Sequence, residues 1–296
     1  MYSRRKFIQS ASLYSAGILG LSSFTALGKG LKKSPTIGLQ LYTVRDAMAK
    51  DPVAALAKVA AVGFNSVEGA TYTGSEKFYG MDPKAFAAQL KSNGLTMYSS
   101  HYRLGEDSKD TKGTILNDWD RAIADAHTVG IKYMVCAFLS NSERGHLDHY
   151  KQVASELNEG GRKCKEAGIQ LCYHNHDFEF QTEDGKYPYD ILLDETDKDL
   201  VKMELDLYWA TKAGQDPVAM FEKHPGRFPL WHMKDMDNTP QKAFTEVGSG
   251  VIDFKKIYAA REKSGMKYFF VEQDRCPGDP FDSITKSYHY IKTNIV

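Results

Sequence analysis

The 296-residue sequence predicts an α/β protein folded as one (β/α)8 barrel of the TIM type. Three observations carry that expectation. Eight short β-rich runs alternate with longer segments of helical periodicity, the runs end in polar or charged residues, and glycine recurs between a helix and the next strand.

In order, the expected strands are Thr36–Tyr42, Ser66–Gly69, Thr96–Tyr102, Tyr133–Phe138, Ile169–His174, Lys202–Leu207, Leu230–Lys234 and Tyr268–Glu272. Helical segments fall at Pro52–Ala61, Pro83–Ser92, Ile115–Thr128, Leu147–Ala167, Pro217–Lys223, Phe254–Lys263 and Phe281–Asn294. Asp51-Pro52, Asp82-Pro83 and Asp216-Pro217 each set a capping acid before a proline suited to the first helical turn. Gly63, Gly94, Gly130, Gly168 and Gly265 stand where helices should end. Strands alternating with helices pair in parallel through right-handed crossovers. About 33 residues per βα unit matches a barrel. A doubly wound open sheet is the competing arrangement, weakened because no glycine-rich phosphate loop follows the first strand.

Lysine plus arginine and aspartate plus glutamate number 38 each, so the net charge is zero. A nucleic-acid partner is therefore not expected, since such binding draws on excess positive charge. Residues 1–30 differ in texture from residues 31–296, the expected catalytic domain. Ser3-Arg4-Arg5-Lys6-Phe7 precedes a weakly apolar run from Ala11 to Leu27, with small residues near Ala26 and Gly28. That pattern reads as a cleavable twin-arginine export signal and places the protein in a bacterial periplasm, with no stable membrane insertion after removal. Four cysteines, Cys136, Cys164, Cys172 and Cys276, form no CxxC pair, and Cys136 and Cys172 read as core thiols.

In a parallel barrel the C-terminal strand ends surround the active-site mouth. The polar residues there are Gln40, Glu68, His101, His174, Asp206, His232 and Glu272. Period-two alternation also turns Glu204, Lys234 and Asp274 inward. His174, Asp206, His232 and Glu272 are separated by 32, 26 and 40 residues, about one per βα unit. Two imidazoles and two carboxylates suit one divalent ion such as Mn, Zn, Co or Fe(II). Glu272 is a candidate base or ligand, His176 and Glu179 candidate acids or bases, and Lys234 a candidate for neutralising an enediolate. Gln40, Glu68, His101, Trp209 and Arg275 are candidate sugar contacts, Trp209 by stacking.

The segments Tyr173-His174-Asn175-His176, Glu204-Leu205-Asp206, Trp231-His232-Met233-Lys234-Asp235, Gly248-Ser249-Gly250-Val251-Ile252-Asp253 and Val271-Glu272-Gln273-Asp274 resemble the xylose isomerase-like TIM-barrel superfamily of sugar isomerases and epimerases. The opening Ile37–Asp46 segment is similar to its first strand. The resemblance implies metal ligands at the ends of strands five to eight, of types Glu, Asp, His and Glu. Asp206, His232 and Glu272 match, and His174 stands at the glutamate position. In the epimerases two ligand glutamates also act as paired bases, which a metal-bound imidazole does not replace.

The expected activity is proton abstraction beside a carbonyl of a sugar, keto-sugar or glycoside-derived substrate. Reprotonation gives an isomerase or epimerase, and loss of a β-substituent gives a lyase or dehydratase. A non-catalytic periplasmic sugar-binding barrel, a metal-dependent endonuclease and homo-oligomerisation remain open on the sequence.

Overall fold

A computed structural model describes residues 36–106 and 110–296. The residues assigned to the export signal lie outside that range. Eight parallel strands close into a barrel. They are β1 (Gly38–Gln40), β2 (Ser66–Gly69), β3 (Thr96–Tyr102), β4 (Tyr133–Cys136), β5 (Gln170–His174), β6 (Val201–Asp206), β7 (Leu230–Met233) and β8 (Tyr268–Val271). Each pairs with its sequence neighbours, and β8 closes on β1 through Gly38 opposite Phe270. A side chain at residue 38 would enter the Phe270 ring, so glycine is what lets the seam shut.

The alternation read from sequence sorts the two faces. Leu205, Met233 and Val271 pack outward into the main hydrophobic cluster beneath the helices. Inward, Val135, Cys172, Leu230 and Phe270 form a separate apolar floor. The charged layer sits one strand step above it, with Asp206 level with His232 and Glu204 level with His174. Cys136, Cys164, Cys172 and Cys276 are all free thiols, the first three buried.

Helix ends follow the local chemistry. Asp51 accepts from Ala54 N at 3.0 Å and Asp216 from Val218 N at 2.8 Å. Asp82 makes no such cap, because its carboxylate turns to Lys77 instead. The helix expected over Ile115–Thr128 begins at Trp119, since Asp118 adopts a left-handed conformation at φ 60°. The first strand stops at Gln40, whose side chain accepts from Tyr42 N and starts a 3-10 turn over Leu41–Val44. Three short helices escaped the sequence pattern: Arg45–Lys50, Pro188–Glu195 and Leu207–Lys212. They span six to eight residues, too few for a 3.6-residue period to declare itself. No helix among the described residues is long and apolar enough to cross a membrane.

Candidate metal centre and active site

The predicted strand-end residues converge at the barrel mouth, in two layers that share His232. The lower layer joins Glu68, His101, His174, Glu204 and His232. Glu204 Oε2 lies 2.9 Å from His101 Nε2, 3.1 Å from His174 Nδ1 and 3.3 Å from His232 Nε2. Glu68 Oε2 lies 2.6 Å from His232 Nε2 and 3.4 Å from His101 Nε2, and Gln40 Nε2 donates to it at 2.8 Å. The upper layer joins Asp206, His232, Lys234, Glu272 and Asp274. Lys234 Nζ contacts Glu272 at 2.7 Å, Asp274 at 2.9 Å and Asp206 at 3.0 Å, while His232 Nδ1 meets Glu272 at 2.9 Å.

The four expected metal donors form a chain of contacts: His232 Nδ1 lies 2.9 Å from Glu272 Oε2 and 3.9 Å from Asp206 Oδ2, and His174 Nε2 lies 3.8 Å from the same Asp206 oxygen. Asp206, His232 and Glu272 form one group, whereas His174 joins His101, Glu204 and His232. The imidazoles of His174 and His232 are neighbours nonetheless, their ring centres 4.5 Å apart.

Local backbone chemistry explains the placement. Asp206 ends β6 and caps the next helix, Oδ1 accepting from Trp209 N, so its other oxygen faces the cluster. Asn175 Oδ1 accepts from Asp206 N and so ties the β5 exit to the β6 exit. Asp235, next to Lys234, accepts from the backbone N–H groups of Met236, Gly248, Gly250 and Ile252 at 2.8–3.1 Å. The two sequence motifs His232-Met233-Lys234-Asp235 and Gly248–Asp253 are therefore one clamp. A side chain at residue 250 would strike Asp235 and the Met236 carbonyl.

Electrostatics divide the layers further. Burial opposes charge on His101 and His232, yet Glu68 and Glu204 hold both imidazoles upward, His101 at about 9. Burial would raise Glu68, but His101 and His232 keep it well below the usual range. Burial and the neighbouring Glu68 push Glu204 to about 7. Burial and His232 hold His174 low, so it is neutral. Although burial opposes the charge, three carboxylates keep Lys234 protonated. Glu272 stays low, because Lys234 and His232 outweigh its burial. Burial takes Asp274 to about 6 against the pull of Lys234.

Above the cluster lies a cavity of about 580 Å³ walled by His176, Trp209, Lys234, Glu272, Asp274 and Arg275, with His101 and His174 in its floor. It shares Tyr42, Arg45 and Phe138 with a side arm of about 840 Å³ under the Tyr72–Tyr79 segment. That segment is pinned by Tyr72, which packs on Phe78 and Tyr102. His176 is neutral, burial and Lys234 holding it near 3, and its Nδ1 has no hydrogen-bond partner. Trp209 faces His176 at 5.7 Å and Phe244 at 5.5 Å. Gln40 and Glu68 lie buried beneath the cavity rather than along its wall. Glu179 is also buried, its two oxygens accepting from Tyr173 Oη at 2.6 Å and His176 N at 2.8 Å. It braces the loop that carries His176 and lies outside the cavity wall.

Glu204 and Asp274 join the cluster although the expected ligand set did not include them. The period-two alternation carried their signal, since each lies two residues from a residue it selected.

A divalent ion suits this chemistry. Glu68 Oε1, Glu204 Oε1 and Asp206 Oδ2 are buried without any hydrogen-bond partner. Buried carboxylate oxygens left that way are costly unless a cation meets them. Mixed imidazole and carboxylate donors match the borderline transition metals.

The family model of the xylose isomerase-like TIM barrel matches residues 56–292. Inosose dehydratase from Lacticaseibacillus casei is 26% identical over 260 residues, covering 75% of this chain and 85% of that protein. A crystal structure of a sugar phosphate isomerase/epimerase from Parabacteroides distasonis superposes with a TM-score of 0.77 at 27% identity, covering 90% of this chain and 96% of that one. The IolI protein with a bound zinc atom shares the fold, with a TM-score of 0.67 at 13% identity over 88% of this chain and 99% of that one. The chain belongs to the xylose isomerase-like TIM-barrel family and is an enzyme of its sugar isomerase/epimerase-like type.

Proposed function

We propose that this enzyme removes a proton from the carbon beside a carbonyl group of a cyclic keto-sugar or inosose-like substrate and completes the reaction by eliminating a β-hydroxyl or β-alkoxy group. One observation carries the choice of elimination over two-base epimerisation. The β5 position offers His174, and the nearby loop acid Glu179 is sealed beneath the wall, so strand five brings no carboxylate to the cavity. Elimination needs one base and one proton donor rather than two opposed carboxylates. The inosose dehydratase relative supports the same direction.

Glu272 is the proposed base. Its contacts with Lys234 and His232 keep it ionised at neutral pH. When Lys234 turns its hydrogen bonds to the substrate oxygen, Glu272 loses that partner and becomes more basic as the proton is taken. Lys234 then stabilises the enediolate oxygen in a cavity that screens charge weakly. His176, neutral and part of the wall, and Asp274 are placed to handle the proton for the leaving group. Trp209 offers a ring face to the sugar and Arg275 a donor at the rim. A divalent ion held through His232 would polarise the carbonyl and acidify the adjacent carbon. Residues 1–30 are proposed to export the protein to the periplasm, where unphosphorylated sugars are the expected substrates. N-terminal sequencing of periplasmic material reads that directly.

The test is incubation of manganese-loaded protein with inososes, ketohexoses and 3-keto-glycosides in deuterated water. Solvent deuterium beside the carbonyl together with an unsaturated product supports elimination. Deuterium incorporation with only an epimer formed would overturn it.

A further inference from the structure

We propose that the side arm of the barrel mouth is a second sugar subsite, and that it seats the ring attached to the leaving oxygen. The substrate is then a keto-disaccharide, or the keto end of a longer glycan, rather than a free keto-sugar. This rests on the elimination reading above and names its leaving group.

Space is the first argument. A cavity that takes one small ligand measures roughly 300–1,000 Å³. The mouth offers two of that size, about 580 Å³ over the charged cluster and about 840 Å³ in the arm. They share a doorway, since Tyr42, Arg45, Ala70, His101, Ala137 and Phe138 line both. Lys234, Glu272, Asp274 and His176 border the first chamber and not the arm. A ring in the arm is therefore held and not transformed.

The walls are the second. Tyr42 and Phe138 are the exposed aromatic rings among the described residues, at 43% each, and both stand at the doorway. Neither hangs loose. The Arg45 guanidinium lies 4.4 Å from the centre of the Tyr42 ring, and Phe138 meets His176 and Phe178 edge to face at 5.3 and 5.8 Å. Wet aromatic surface gains by covering the C–H face of a sugar ring. Beyond the doorway Thr71, Thr73, Glu76 and Lys77 supply polar groups for that ring's hydroxyls. An aryl group would use the aromatic part of this lining and leave the polar part without use.

Rigidity is the third. Tyr72 Oη donates to Asp125 at 2.6 Å, and Ala70 N donates to Tyr79 Oη at 2.8 Å, so the segment over the arm is tied down at both ends. The arm is a preformed chamber, which lowers the ordering cost of filling it.

The step balances without a co-reactant. The C–H bond beside the carbonyl breaks and its electron pair forms a C=C bond. The C–O bond on the next carbon breaks, and the second ring leaves on that oxygen, which takes a proton. Where that oxygen is anomeric, the carbonyl stands two carbons away on the same ring.

The experiment uses the full-length, manganese-loaded protein with cellobiose and trehalose oxidised at C3 of one non-reducing ring, and with methyl 3-keto-glucoside. The unsaturated ketone and the released alcohol give kcat/KM. The better disaccharide should exceed the methyl glycoside about 30-fold. Ala49→Trp and Thr71→Trp fill the arm from exposed positions and should each cut that ratio about tenfold. Calorimetry with the unoxidised disaccharides, methyl glucoside and phenyl glucoside reads the arm without turnover, and the better disaccharide should bind about tenfold tighter than methyl glucoside. A disaccharide that binds no tighter than methyl glucoside, or a turnover ratio that both variants leave intact, overturns the second subsite. Phenyl glucoside binding ahead of both disaccharides overturns a sugar as its occupant. Elimination without any disaccharide preference sinks the subsite alone, and disaccharide preference in binding with no elimination sinks the reaction alone.

Discussion

The two layers of the barrel mouth use the same building material to different ends. Each gathers carboxylates from neighbouring strands around His232, yet the upper set closes on a lysine and the lower set on imidazoles. Lys234 is kept charged by its three carboxylates, whereas the imidazoles below can trade a proton for a metal. A shift of two residues along one strand, from Asp206 to Glu204, thereby separates a lysine-centred cluster from an imidazole-centred one, and His232 belongs to both. Below both lies the apolar floor of Val135, Cys172, Leu230 and Phe270, which has no part in charge and supports everything above it.

The hardest blow to this contrast is Lys234→Met. It strands three carboxylates, two of them buried, and breaking such pairing costs about 3–5 kcal/mol. Turnover should fall at least 1,000-fold while the protein still takes up metal. Urea unfolding and metal analysis check both, and a loss below about 1 kcal/mol would mean Lys234 is not the upper cation.

Phe270→Ala probes the floor instead. A deleted buried ring costs about 3–5 kcal/mol, here with the added loss of the Gly38 seam contact. Metal stoichiometry should survive, and its disappearance would show that the floor and the charged cluster above it are one unit.

Glu179→Gln gives a smaller, pH-dependent signature. Its folded carboxyl sits at about 7 against an ordinary 4.5, with burial the leading cause. A raised acid contributes stability that is present below its unfolded value and is lost as pH rises through the folded one. The parent should therefore lose roughly 2–3 kcal/mol between pH 4.5 and 7 from this group, and the glutamine variant should lose that much less. Denaturation midpoints across that window decide it.

Trp209→Ala should act on substrate alone, raising KM about tenfold, or ~1.4 kcal/mol, with kcat within twofold. An unchanged KM would assign Trp209 to packing against Phe244 and Tyr208.

The sequence made the barrel legible because each strand ends in a helix whose start and stop are written locally, as at Asp51 and Gly130. The convergence of strands five to eight was legible for the same reason, since any polar residue at a strand end faces one mouth. What it concealed was depth. Glu204 and Asp206 both point inward, and only the barrel's register puts Glu204 level with His174 and within reach of His101, 103 residues away. Glu68 and His101 were both expected as sugar contacts, and nothing local told that Glu68 would lie beneath the cavity and His101 in its floor. Glu179 was close to His176 in the chain, but its burial depends on Tyr173 bending over it.

Asp235 has a further consequence. Its carboxylate fastens four backbone N–H groups at the root of the excursion that follows β7, and the segment beyond, residues 237–243, hangs outside that knot. Lengthening or exchanging that tip would reshape the rim near Phe244 and leave His232 and Lys234 in register. It is the natural place to graft new selectivity onto an unchanged catalytic base.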